Sequence, residues 1–137
     1  MLIKLIATCL STGVYFFWSF CIFWLIAIGD EPGQFLLAVY ADLFGLIILF
    51  VSMLLAKLTN RKKIRVVNSL TLLTITTLSV AFVVQTLFDS SNLAMEFHTP
   101  EYIAEVHSYL IYLICTHIFK LSFSAWDLYR CKTVPAR

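Results

Sequence analysis

Charged side chains are scarce in this sequence of 137 residues, where Asp, Glu, Lys and Arg together make up 13%, against about 25% in soluble domains. Hydrophobic residues make up 61%, and the mean hydropathy is +0.89. A soluble chain this short is unable to bury so much apolar surface. The composition therefore excludes a disordered tail, a collagen-like repeat and a basic protein that binds nucleic acid directly.

Motifs that carry catalysis or bind cofactors are also missing. The four cysteines form no Cys-x-x-Cys pair, which argues against a four-helix thiol oxidase coupled to quinone. There is no glycine-rich phosphate loop, no nucleophile elbow and no zinc-protease helix. Of the predicted spans described below, only the fourth contains histidine, so haem clamped between two spans is disfavoured. We therefore expect no enzyme, no cofactor and no metal site.

Four long runs with few charges dominate what is present, at about 5–28, 35–56, 66–88 and 102–125. The first is 24 residues long, about 36 Å as a helix, which exceeds a hydrocarbon layer of ~30 Å. Backbone groups in lipid must pair within the chain, so each run is predicted to be a helix. Short connections between long helices favour an antiparallel bundle. We predict an all-α membrane protein with one integral membrane domain over 1–137.

The distribution of charge predicts the orientation of these helices. All ten Lys and Arg residues lie near the amino terminus, in the second connection at 57–65, or near the carboxyl end. Most acidic residues lie in or near the other two connections. The positive-inside rule then places both termini and the second connection in the cytoplasm, and we expect the inner (plasma) membrane of a bacterium. Lys120 is predicted to reach this interface, and His117 to contact headgroups or a neighbouring helix from the same face.

The basic cluster of the second connection allows two interpretations. It consists of Arg61, Lys62, Lys63 and Arg65. In one interpretation the cluster only determines topology. In the other it also binds anionic lipid headgroups or an acidic cytoplasmic protein partner.

Small residues predict where the helices pack, since membrane helices associate through small side chains and hydrogen bonds. Ala41 and Gly45 form a small-xxx-small pair in the second helix. The first helix is crowded with Phe on its other side, and Trp18 lies near its middle, although tryptophan usually prefers the membrane interface. These aromatic residues face either lipid or a second subunit, and the depth of Trp18 favours a homo-oligomeric interface.

Asp42 is the residue most suggestive of function, because a carboxylate within a membrane helix is costly. Its neighbours Ala38, Ala41 and Gly45 predict that its side chain points into protein. Gln85, Glu105 and His107 are expected at the same depth, which would make a polar layer of these three residues and Asp42. Such a layer forms either a site for protons or cations, or a hydrogen-bonded plug that fixes helix register.

The span number and topology resemble two kinds of small bacterial inner-membrane protein. These are the immunity proteins against pore-forming bacteriocins and the four-helix membrane subunit of the Kiwa type of anti-phage defence system. The resemblance implies a sensor or anchor subunit with a cytoplasmic partner, and it assigns no residue. The alternatives are a small channel or transporter that uses the Asp42 layer, and an accessory subunit of a larger membrane complex.

Overall fold

The computed structural model describes the backbone of residues 1–27, 32–97 and 99–133, and their side chains except at 32 and 90–97. The described residues form four helices: α1 (Leu2–Ala27), α2 (Pro32–Leu58), α3 (Lys62–Phe97) and α4 (Pro100–Thr133). Each is long and apolar enough to cross a membrane. The expectation of an all-helical protein with four candidate membrane spans is therefore confirmed.

The predicted boundaries of α3 and α4 are wrong. α3 continues to Phe97 and α4 begins at Pro100, so most of the connection expected at 89–101 is helical. The sequence from 89 to 97 contains neither Gly nor Pro, and helix propensity there outweighs the turn preference of Asp, Ser and Asn. At 36 and 34 residues, these helices measure about 50 Å and exceed the ~30 Å hydrocarbon layer.

Local chemistry explains the helix ends. Proline begins both α2 and α4, where its missing N–H group would have had no helical partner. At the start of α4, Thr99 Oγ1 accepts a hydrogen bond from the backbone N–H of Tyr102. Between α2 and α3, Asn60 has a φ of 56°, the left-handed conformation that ends helices and that Asn tolerates. The connection therefore spans only 59–61, and most of the basic cluster belongs to α3.

Two hydrophobic clusters form the core, and each takes residues from all four helices. The first includes Ile22, Phe35, Val83 and Val106. The second is built around Tyr15, Leu49 and Leu72, against which Phe123 packs. Asp42 lies on α2 between Ala38 of the first cluster and Leu49 of the second, so the fold holds this carboxylate deep among the helices.

Candidate functional site: a buried carboxylate between α2 and α4

Asp42 is completely buried, with an exposed fraction of 0%. Its Oδ1 accepts a hydrogen bond from Lys120 Nζ, and its Oδ2 accepts one from Thr116 Oγ1. His117 Nδ1 lies 3.3 Å from the same Oδ2. The prediction that Asp42 points into protein is confirmed, and all three of these partners come from α4.

Lys120 corrects the interpretation of the fourth helix. Its exposed fraction is 2%, so its side chain is buried among the helices. The predicted helix boundaries place Lys120 near the end of the helix, and its predicted contact with the membrane interface is wrong. α4 continues for 13 residues beyond Lys120, about 20 Å of helix. Lys120 therefore lies within the helix, on the same face as Thr116, and its ammonium group pairs with the Asp42 carboxylate.

His117 is likewise buried, with an exposed fraction of 4%, so of the two expected contacts it makes the one with a neighbouring helix, at Asp42 of α2, and not the one with headgroups. Its Nδ1 donates a hydrogen bond to the Leu113 carbonyl oxygen at 2.7 Å, as a ring nitrogen in a helix often does with the carbonyl four residues back. The ring also lines a cavity of about 200 Å³ between α1 and α3. His117 therefore lies between the Asp42 carboxylate and the cavity that α1 and α3 line.

Gly45 makes room for the site. A Cβ atom at this position would lie 3.1 Å from Trp18 Cδ1 and 3.2 Å from Lys120 Nζ. Trp18 Nε1 donates a hydrogen bond to the Ala41 carbonyl oxygen at 2.7 Å. The predicted packing pair, Ala41 and Gly45, thus meets an α1 tryptophan and an α4 lysine at neighbouring turns.

Trp18 packs against α2 within the chain, and the subunit contact that its sequence position suggested stays a prediction. Its ring packs against Phe44, with 5.2 Å between ring centroids, and its only polar atom is used by α2. An indole N–H removed from water needs an acceptor, and the Ala41 carbonyl oxygen supplies one within the chain. The unusual depth of Trp18 is therefore explained by packing within the chain.

The predicted polar layer is not assembled around Asp42. Gln85 on α3 and Glu105 on α4 are exposed, and Glu105 accepts a hydrogen bond from Tyr109 Oη at 2.9 Å. His107 is half-buried, and its Nε2 has no hydrogen-bond partner. Because Asp42 pairs with α4 at Thr116 and beyond, Glu105 lies 11 residues away along that helix, or about 16 Å. The assumed helix boundaries had placed these residues at one depth.

A second polar network lies between the Asp42 site and the basic cluster. Thr12 of α1 donates a hydrogen bond to Asn68 Oδ1 of α3, and its hydroxyl lies 3.0 Å from Ser52 Oγ of α2. Asn68 is 6% exposed, and its Nδ2 has no hydrogen-bond partner. Ser69 donates a hydrogen bond to Asp127 of α4. The many hydroxyl groups in the sequence of α3 indicated buried polar contacts, and Ser69 makes one. Thr71 does not, because it is exposed and its hydroxyl donates a hydrogen bond to the Val67 carbonyl oxygen of its own helix.

The basic cluster lies at the start of α3. Arg61, Lys62 and Lys63 are exposed, and Arg65 is half-buried. Lys62 Nζ donates a hydrogen bond to the carbonyl oxygen of Lys132 at 3.4 Å, so the start of α3 and the end of α4 lie together. We call this region the basic end of the protein.

No protein-family model, curated protein or solved structure matches the chain. Within the described residues, no group of three or more His, Cys, Asp or Glu side chains is arranged to hold a metal ion. The fold and site therefore define an all-helical protein with four candidate membrane spans and an ion pair buried between two of them.

Proposed function

We propose that the chain is a non-enzymatic integral membrane protein that acts through contacts, as an oligomeric sensor or anchor subunit. The observation that carries this proposal is the closure of the Asp42 site. The exposed fractions of Asp42 and Lys120 are 0% and 2%, and within the described residues the carboxylate is bonded only by α4. Such a closed ion pair fixes the register of α2 against α4, whereas binding or transport needs an accessible group.

We further propose an antiparallel bundle with both termini in the cytoplasm. The order of contacts supports the antiparallel arrangement, because Thr12 and then Trp18 of α1 meet Ser52 and then Ala41 of α2. Asp42 and then Phe50 of α2 meet Lys120 and then Phe123 of α4, so these two helices run the same way. The gathering of basic residues at one end supports the cytoplasmic assignment.

Reporter fusions test this topology. Fusions at Asn60 and after Arg137 are expected to report a cytoplasmic location, and a fusion at Asn92 an external one, because basic residues resist translocation. Paired alkaline phosphatase and fluorescent protein fusions measure both outcomes. An external signal at Asn60 would reverse the proposed orientation.

The basic end is proposed to bind a cytoplasmic protein partner. Arg61, Lys62 and Lys63 are exposed, so their charges are available to an acidic surface. If they bind a partner, the double change Arg61→Gln and Lys62→Gln should lower its recovery severalfold, since each exposed ion pair with an acidic protein contributes about 0.2–1 kcal/mol. Quantitative site-specific crosslinking from the 59–61 connection measures this recovery.

The control for that experiment is Lys57→Gln, which removes one exposed charge at the end of α2. Topology is followed in parallel with the reporter fusions, since several basic residues remain. Unchanged crosslinking in the double variant would leave the cluster with only a role in topology.

A bacterial defence or bacteriocin-immunity system is the proposed setting of this subunit. The support is the number of spans and the small size, which resemble membrane proteins of both systems. The test compares cells that carry the gene with its neighbouring genes against cells that lack it, under phage challenge and under challenge with pore-forming bacteriocins. Equal survival in every challenge would contradict this setting and favour an accessory subunit of a larger membrane complex.

A small channel or transporter is the second candidate. The observation that favours it is a cavity of about 270 Å³, lined by Asp42, Thr116 and Phe119, between α2 and α4. Ionisable residues within membrane spans often serve transport. Proteoliposomes with an internal pH-sensitive dye would detect proton flux. Flux that Asp42→Asn abolishes, with assembly intact, would favour transport over the proposed contact function.

A further inference from the structure

A continuous apolar groove runs between α1 and α3 on the outside of the protein. Its larger part has a volume of about 840 Å³ and extends from Leu5 and Lys63 to Leu78. Phe16, Ile75 and Leu78 also line the cavity of about 200 Å³ that reaches His117. The two spaces therefore adjoin along one helix interface.

We propose that this groove binds one acyl chain of an anionic phospholipid from the leaflet at the basic end. The proposal depends on membrane insertion alone, and it holds whether the protein acts as a sensor, an anchor or a transporter. From Lys63 to Leu78, α3 rises about 22 Å, which exceeds the ~15 Å depth of one leaflet's hydrocarbon. The groove is thus long enough for a chain that enters from the basic end.

Charge at the mouth of the groove selects an anionic headgroup. Lys63 lines the groove at the basic end and is exposed. Arg61 and Lys62 precede it in sequence and are also exposed. An ammonium group at this level attracts a lipid phosphate, and the further basic residues favour a lipid with net negative charge.

Asn68 supplies a second, independent reason for a lipid. It lines the same groove, it is 6% exposed, and its Nδ2 has no hydrogen-bond partner. An unpaired buried amide is costly, and a ligand oxygen at this position would pair with it. Asn68 lies five residues beyond Lys63, about 7–8 Å further along α3. A phospholipid carries its ester carbonyl oxygens deeper than its phosphate, in the order that Lys63 and Asn68 require.

Gly13 provides a way to close the groove without disturbing the fold. It lines the groove, and a Cβ atom built on it would meet no other atom within 4 Å. A leucine side chain at this position would occupy the space assigned to the acyl chain. Gly13→Leu is therefore expected to fold normally and to exclude the lipid.

Native mass spectrometry of the purified protein tests the proposal, with dioleoyl phosphatidylglycerol and dioleoyl phosphatidylcholine as probes. The wild type is expected to retain one phosphatidylglycerol more tightly than phosphatidylcholine. Lys63→Gln should weaken phosphatidylglycerol binding about fivefold and phosphatidylcholine binding less, because the choline cation offsets the phosphate charge of that lipid. Asn68→Leu should weaken both lipids, because both carry ester oxygens, and Gly13→Leu should abolish retention of both.

The matched control is Lys132→Gln, an exposed basic residue at the same end that does not line the groove. It should bind both lipids almost as the wild type does. Lipid retention unchanged in Gly13→Leu would overturn the proposal. A change from oligomer to monomer in Gly13→Leu, with lipid retention unaffected, would also overturn it and assign the groove to a second copy of the chain.

Discussion

Lys120→Met is expected to lower the free energy of unfolding by about 3 kcal/mol. Methionine resembles lysine in length, but it leaves the Asp42 carboxylate buried without its cation. Removal of one partner of a buried ion pair typically costs about 3–5 kcal/mol, because the remaining charge is uncompensated. Asp42→Leu leaves Lys120 unpaired, so it should also destabilise the protein. Titration of unfolding in mixed detergent micelles measures these free energies.

A double variant separates pairing from simple loss of packing. Asp42→Leu combined with Lys120→Met removes both charges, and replacement of a whole buried pair by apolar residues is often nearly neutral. The double variant should therefore be more stable than either single variant. Ser122→Ala, at an exposed position of α4, is the control. Additive losses in the double variant would contradict an energetic coupling between Asp42 and Lys120.

Gly45→Leu is expected to lower the free energy of unfolding by about 1–2 kcal/mol, as overpacking outweighs the gain in helix propensity. A Cβ atom alone would already lie 3.1 Å from Trp18 Cδ1. Trp18 has little freedom to move away, because its Nε1 is bonded to the Ala41 carbonyl oxygen. The remaining leucine atoms would push Trp18 or Lys120 from its place, and such overpacking typically costs about 1–3 kcal/mol. The same micelle titration measures the loss.

Gly13→Leu is the matched control, since it makes the same change in an open position. Helix propensity improves by about 0.8–1 kcal/mol when Leu replaces Gly, and this gain applies at both sites. Gly13→Leu should therefore be neutral or stabilising, and Gly45→Leu destabilising. If both variants changed stability equally, close packing at Gly45 would not be the cause.

Part of the Asp42 site could be predicted from sequence. The small residues one turn before and after Asp42 indicated that its side chain faces protein, and its exposed fraction of 0% agrees. The partners could not be predicted in the same way, because pairing across helices depends on how far each helix is shifted along its neighbour. Side-chain packing sets that shift, and α4 extends to Thr133 rather than ending near 125, so Lys120 lies well within the helix.

Trp18 and Lys120 show why the contacts of individual side chains could not be predicted from the sequence. Each is long enough to reach more than one environment from the same backbone position. Tryptophan is enriched at membrane interfaces and lysine beside them. The sequence therefore predicted an interface contact for Lys120 and, because Trp18 lies near the middle of its helix, a subunit contact for Trp18. In the folded protein, both side chains pack against Gly45 of α2. There Trp18 donates a hydrogen bond to the Ala41 carbonyl oxygen, and Lys120 donates one to Asp42.

The sequence by itself determined the number of helices and their suitability for a membrane, because length and apolarity are properties of each segment alone. The separation of basic and acidic residues along the chain is equally local, and it carries the proposed orientation. Only the tertiary structure decided that Asp42 pairs with Lys120, Thr116 and His117, and not with Gln85, Glu105 or His107. These contacts join residues more than 70 positions apart, so they depend on helix register, which side-chain packing across all four helices sets.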